Sequence, residues 1–278
     1  MDQARGRGSR KEKDQMKTRS RLALCAVVLA IVGAACSKKE DDSKLAATAT
    51  AVIAADPPPS AMSTSFEVEK DGKTSVDIDA PSEHIKASTT ASAGTIKVDL
   101  TNLANTRGEV KADLTTLTTN TFATEPGKNT TQTEHARNWL EVGTLVDDKT
   151  RAANQYAVFG IQSIDALSAT DVSKVAPVSV GSEDVRTVTL TAHGDFLVHG
   201  RHAAKDVPLE VKFHYPSGAA ATSKPTRIDV ATKGPLNVTL AEHDVKPRDN
   251  FGKVAQWTTN LVAKVGTVAA VTIDVHAK

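Results

Sequence analysis

Val207-Pro208-Leu209-Glu210-Val211-Lys212-Phe213-His214-Tyr215 places an apolar side chain at every odd position and a polar residue or proline between them. Successive side chains of a strand point to opposite faces, so this alternation specifies a strand with one buried face and one wet face. On that reading His214 faces water. The same period recurs at Val76/Ile78, Ile96/Val98/Leu100, Val110/Ala112/Leu114, Val188/Leu190/Ala192, Phe196/Val198, Ile228/Val230, Leu236/Val238/Leu240 and Val271/Ile273/Val275. Phe66/Val68 and Tyr156 to Ile161 give shorter runs. Turn-forming residues separate them at Asp71-Gly72, Ala93-Gly94, His193-Gly194-Asp195, Pro216-Ser217-Gly218 and Gly234-Pro235.

Roughly eight to ten such strands from Ser63 onward define an all-β, antiparallel domain, either a closed barrel or a two-sheet sandwich. Closure removes the unpaired edges that invite aggregation, so a barrel of about eight strands is the favoured architecture. Two segments change period and read as covering helices. Thr131-Gln132-Thr133-Glu134 fits a capping box, with Ala136, Trp139 and Leu140 on one face of the helix that follows. Phe251, Val254, Thr258, Leu261, Val262 and Val265 keep helical spacing from a cap at Asn250 to Gly266.

Composition narrows the function. The 278 residues carry 34 Lys+Arg against 33 Asp+Glu, so no basic surplus exists for a nucleic-acid backbone. Two cysteines cannot build a multi-bridge scaffold or a Cys-rich metal site. No Gly-x-Ser-x-Gly elbow, P-loop or dinucleotide fingerprint occurs. Thr115 to Thr119 offers hydroxyls without a base beside them, and reads as a solvated strand face.

The amino terminus reads as an address. Leu22 to Ala35 is a run of 14 small and apolar residues preceded by Lys17, Arg19 and Arg21. As a helix it would reach about 21 Å, short of the roughly 30 Å of a bilayer core, so residues 1–35 are expected to be a secretory signal and not a span. Met16 offers a more typical start for it. Gly33-Ala34-Ala35 before Cys36 resembles a bacterial lipoprotein cleavage site, which makes Cys36 the expected lipid-attachment residue. Ordinary cleavage after Ala35 would instead leave a free thiol. Loss of residues 1–35 leaves 26 basic against 30 acidic residues. Residues 36–62, rich in Ala, Ser, Thr, Asp and Pro, read as a flexible tether to the domain at 63–278.

Several stretches resemble the YceI-like family. They are Gly194-Asp195-Phe196-Leu197-Val198-His199-Gly200 followed by Lys205 to Phe213, Asp113 to Leu117, the segment His135 to Val142, Leu240 to Asp249 and the closing Val271 to Ala277. The family's opening Trp and His-Ser pair are absent, and Phe66 to Asp79 stands in their place. The resemblance implies a lipocalin-like, eight-stranded barrel in the bacterial envelope that holds a long polyisoprenoid or related lipid. It also suggests a membrane cytochrome as a partner. Ser37 after the lipidated residue points to the periplasmic face of the outer membrane.

An eight-stranded barrel is just wide enough to be filled by its own side chains or to hold one ligand. With 4% aromatic residues, the chain has few rings to fill it. The expected ligand-binding wall is Val98, Leu100, Phe159, Ile161, Val188, Leu190, Phe196, Val198, Leu209, Val211 and Phe213. The same residues could also form a solid core. No cofactor, metal or catalytic residue is expected, and a prenyl lipid would be the ligand. A filled barrel that binds a neighbouring protein is the alternative. A His199/His202 metal enzyme ranks last, because residues three apart across Gly200 face different directions.

Overall fold

The computed structural model describes residues 50–58, 60–79, 84–246 and 266–278. Cys36, the signal and the helix expected from Asn250 to Val265 lie outside them. The described residues form β1 (Ser63–Glu67), β2 (Lys73–Ile78), β3 (Ile85–Thr89), β4 (Ser92–Asp99), β5 (Arg107–Asp113) and β6 (Thr118–Thr119). Helices α1 (Pro126–Trp139) and α2 (Asp148–Ala153) follow. Then come β7 (Tyr156–Asp165), β8 (Val178–Val180), β9 (Glu183–Val198), β10 (Arg201–Pro216), β11 (Arg227–Thr232), β12 (Leu236–Thr239) and β13 (Val268–Ala277).

These segments combine into eight ribbons of an antiparallel meander. β1 and β2 are two halves of one bent strand, because their partners β4 and β3 are also consecutive. In the same way β5 continues into β6, whose partner is β3, and β11 and β12 share β13. Pairing then runs through β5, β7, β9, β10 and β11 to β13. The ring is completed at the bend between β1 and β2. There Val68 bridges Ala277, the Glu67 N–H donates to the Lys278 carbonyl at 2.6 Å, and the Lys278 N–H returns a bond at 3.0 Å. The Glu69 N–H donates to the His276 carbonyl at 2.8 Å, and β2 pairs with β13 beyond it. The fold is all-β and lipocalin-like, and among the described residues these bonds leave no long free edge where β1, β2 and β13 meet.

Inward positions carry the apolar face. On β9 these are Val188, Leu190, Ala192, Phe196 and Val198, and on β10 Val207, Val211, Phe213 and Tyr215, all members of one core cluster, with Leu209 packed against it. On β7 a bulge between Ile161 and Ser163 shifts the parity, so that Phe159, Ile161 and Ile164 all join it.

Two expected turns are strand interior. Ala93-Gly94 lies within β4 opposite Lys111 and Val110, and His193-Gly194-Asp195 lies within β9. Gly194 is there for close approach: a Cβ on it would stand 2.5 Å from Cζ of Phe159, whose ring occupies that space.

The helix starts earlier than the capping box implies. Pro126 is its first residue, and the Thr131 hydroxyl bonds back to the Gly127 carbonyl inside it. Its most buried residues are polar, Thr133 and Asn138, while Ala136, Trp139 and Leu140 are only partly covered. Thr133 Oγ1 accepts from the Thr119 backbone N–H at 2.9 Å, which fastens α1 to the short β6 edge.

His214 also departs from expectation. It points outward by parity but is buried, because Glu183 and Asp229 approach its two ring nitrogens at 2.9 and 2.8 Å and Arg227 packs beside it.

The end of the expected tether is strapped to the barrel. Ala51 is buried with Val158 and Leu197, outward residues of β7 and β9. The Val52 N–H donates to Asp195 Oδ2 at 2.7 Å, and Lys97 Nζ pairs with Asp56 at 2.5 Å. Gly160 permits this, since a Cβ there would meet the Val52 carbonyl at 2.8 Å.

Candidate functional site

The barrel interior brings the predicted wall together. Val98, Leu100, Phe159, Ile161, Val188, Leu190, Phe196, Val198, Val211 and Phe213 are buried in one cluster, and Leu209 packs against it partly buried. Exposure varies along the inward face. Val188, Phe213, Ile228 and Val275 are sealed, whereas Val76, Val110, Leu209 and Ile273 keep accessible surface although they sit on inward, core-contacting positions.

The two ends differ in chemistry. At the lower end, short turns Leu103–Asn105 and Val172–Lys174 drive Leu103 and Val172 into the core. Arg186, inward on β9, ties the second turn down by donating from Nη1 to the carbonyls of Ser173 and Val175 at 3.0 and 2.7 Å. Its guanidinium lies over the Tyr215 ring. Burial pushes the Tyr215 hydroxyl above its usual range, with Arg186 acting against the shift.

At the upper end, α1 and the turn Leu240–His243 lie near the β9–β10 hairpin. Lys205 occupies an inward position on β10, opposite Gly194, and its ammonium reaches Glu242 Oε2 at 2.9 Å. His243 is fully buried, with its ring edge-on to Phe196 at a centroid distance of 5.4 Å. Burial lowers its pKa, and the carbonyls of Arg201 and Val198 act against that shift without reversing it. His199 lies between the His243 carbonyl, 3.1 Å from Nδ1, and Glu141, 2.8 Å from Nε2.

His193, His199, His202 and His214 are therefore engaged separately. His193 sits between Asp206 and Asp165, and His202 Nδ1 meets Asp195 at 2.7 Å. Among the described residues no group of three His, Cys, Asp or Glu could hold a metal ion. A trough of about 410 Å³ crosses β2, β3 and β13, with Lys73, Ser75, Val76, Asp77, Lys86 and Thr272 in its lining.

Sequence reasoning missed Lys205 and His243. Extending the odd parity of the Val207 run back by one step places Lys205 inward. His243 lies in a short turn with no period to betray it.

The interior is thus an apolar cluster with charged side chains and short turns at both ends. No family model and no curated protein matches the chain. Among solved structures it is similar to a polyisoprenoid binding domain from Saccharophagus degradans implicated in plant cell wall breakdown, at 14% identity and a TM-score of 0.44. That match covers 77% of this chain and 97% of the other. It is similar also to Burkholderia cenocepacia BcnA, at 12% identity and a TM-score of 0.43, over 74% of this chain and 96% of that one.

Proposed function

We propose that the barrel binds and carries, without catalysis, one long apolar chain of the isoprenoid quinone or polyprenyl type. In this reading it works on the periplasmic side of the bacterial envelope, tethered through a lipid on Cys36. The carrying observation is the accessible surface left on Val110, Leu209 and Ile273, mid-strand residues of the inward face. In a solid core such positions would be sealed as Val188 is. A chain laid against this wall gains about 0.8 kcal/mol per buried CH₂, so a prenyl tail needs no charged contact to bind tightly.

The test is extraction of the purified protein with organic solvent followed by mass spectrometry, with uptake of added ubiquinone as the second arm. A co-purified or captured prenyl compound at near one per chain is expected. Neither a co-purified lipid nor uptake would overturn the reading and leave a filled barrel.

A further inference from the structure

We propose that the turn from Leu240 to Val245 is an acid-released latch on the upper end of the barrel, held shut by insertion of the His243 ring. His243 is 0% exposed, and its Nδ1 lies 3.1 Å from the Arg201 carbonyl, which only an N–H can satisfy. In the neutral ring Nε2 is then the acceptor nitrogen, and it has no hydrogen-bond partner. The Val198 carbonyl also acts on the ring, and the edge of the Phe196 ring packs against it. A second proton would put a charge into this fully buried seat, where the cost of burial outweighs the help of the Arg201 and Val198 carbonyls.

The charged groups around the seat come from every element packed on it. Lys205 of β10 repels an imidazolium and Glu242 of the turn attracts it. His199 Nδ1 and the His243 carbonyl join the turn to the β9–β10 hairpin, and Glu141, beyond the end of α1, holds the far side of His199. Arg201 and Lys246 both face Asp244. Besides the imidazole, the turn is held by the His199 contact to the His243 carbonyl, by the Leu240 N–H donating to the Thr267 carbonyl at 3.0 Å, by ion pairs with an exposed partner and by the partly buried Leu240 and Val245. Asp244 caps the turn in the left-handed region, at φ 52° and ψ 28°, which aspartate adopts more readily than most residues with a side chain.

The sign follows from proton linkage. The closed state holds His243 below its ordinary value, and a swung-out ring titrates near 6.5, so the open state binds more protons and acid favours opening. Between the two values the open population rises about tenfold for each pH unit lost. Opening uncovers Phe196, so release of a lumen chain on acidification follows if the lipid-carrier reading holds; the latch itself does not depend on it.

Hydrogen exchange on the ligand-free full chain tests the latch, read as protection factors corrected for the pH dependence of intrinsic exchange. Protection over residues 240–246 should fall about tenfold per unit below about pH 6.5, while β9 and β10 stay protected. His243→Gln should flatten that response. An unchanged protection in the wild type, or the same fall in His243→Gln, overturns the latch. If the variant does not fold, NMR titration of the wild-type ring decides: a His243 value at or above about 6.5 overturns it as well. Falling protection with no extractable prenyl lipid keeps the latch and removes the carrier, whereas bound lipid with flat protection does the reverse.

Discussion

The Arg186 guanidinium lies 5.3 Å from the centroid of the Tyr215 ring, across the floor of the barrel, while its Nη1 donates to the carbonyls that end the Val172–Lys174 turn. This side chain fastens the lower end beneath Leu103 and Val172, because one guanidinium donates to buried carbonyls and stacks on an aromatic face at the same time. Arg186→Met should cost about 2–4 kcal/mol in urea unfolding, from carbonyls left without donors and a lost cation–π contact. Arg186→Lys should recover only part, since an ammonium cannot reproduce the fork.

The amino-terminal strap gives a second prediction. Val52, Ala51 and Ile53 approach Gly160 so closely that a side chain there displaces them. Gly160→Val should therefore detach residues 51–56 while leaving the inward face of β7 intact. Thermolysin should cut beside Val52 and Ile53 about tenfold faster, which corresponds to about 1.4 kcal/mol of lost docking. Unfolding of the barrel should shift little. Equal cleavage rates would show that the strap does not depend on this glycine.

What the sequence made legible, and what it hid, divides by physical cause. The period-two runs identify the inward face because a residue's face in a strand is set by parity alone, and ten of the eleven residues proposed as the wall are buried. Glycine misleads for a related reason. Gly94 and Gly194 look like turns, yet Gly94 takes a φ of 137° within β4 and Gly194 makes room for the Phe159 ring. The helix face misleads because α1 seats on β6 through Thr133 and Thr119 hydroxyls, which leaves its burial without an apolar signature. His214 is buried by charge partners distant in sequence, Glu183 and Asp229, and no local pattern reports those.

The histidine pairs on the outer wall make stability depend on pH. Hydrogen bonds donated by the His193 ring to Asp206 and then to Asp165 raise its pKa, and a bond to Asp229 does the same for His276. A raised folded value means that the stabilisation is complete below about 6.5 and disappears as pH climbs through the raised values. Unfolding free energy should accordingly decline over that window. Asp206→Asn together with Asp165→Asn should flatten the His193 part of the slope. An unaltered slope in that double variant would remove His193 as its source. The effect is modest, because His193 and Asp206 are both partly in water.

Filling the lumen separates a carrier from a solid core in a single pair of variants. Leu209 points inward from the middle of β10 yet keeps accessible surface, whereas Val188 on the neighbouring β9 is fully sealed. If the surface on Leu209 borders unfilled space, Leu209→Trp has room for its ring and should cost less than about 1 kcal/mol. It should also abolish ubiquinone uptake, because the indole takes the space the chain would occupy. Val188→Trp has no such room, so the ring must displace packed neighbours at about 1–3 kcal/mol or more. A solid core predicts overpacking at both sites and no uptake to lose. Equal destabilisation of the two variants in urea, with uptake absent in the wild type, would therefore exclude the lumen as a lipid site. A small cost at Leu209 with loss of uptake would tie the ligand to that stretch of wall.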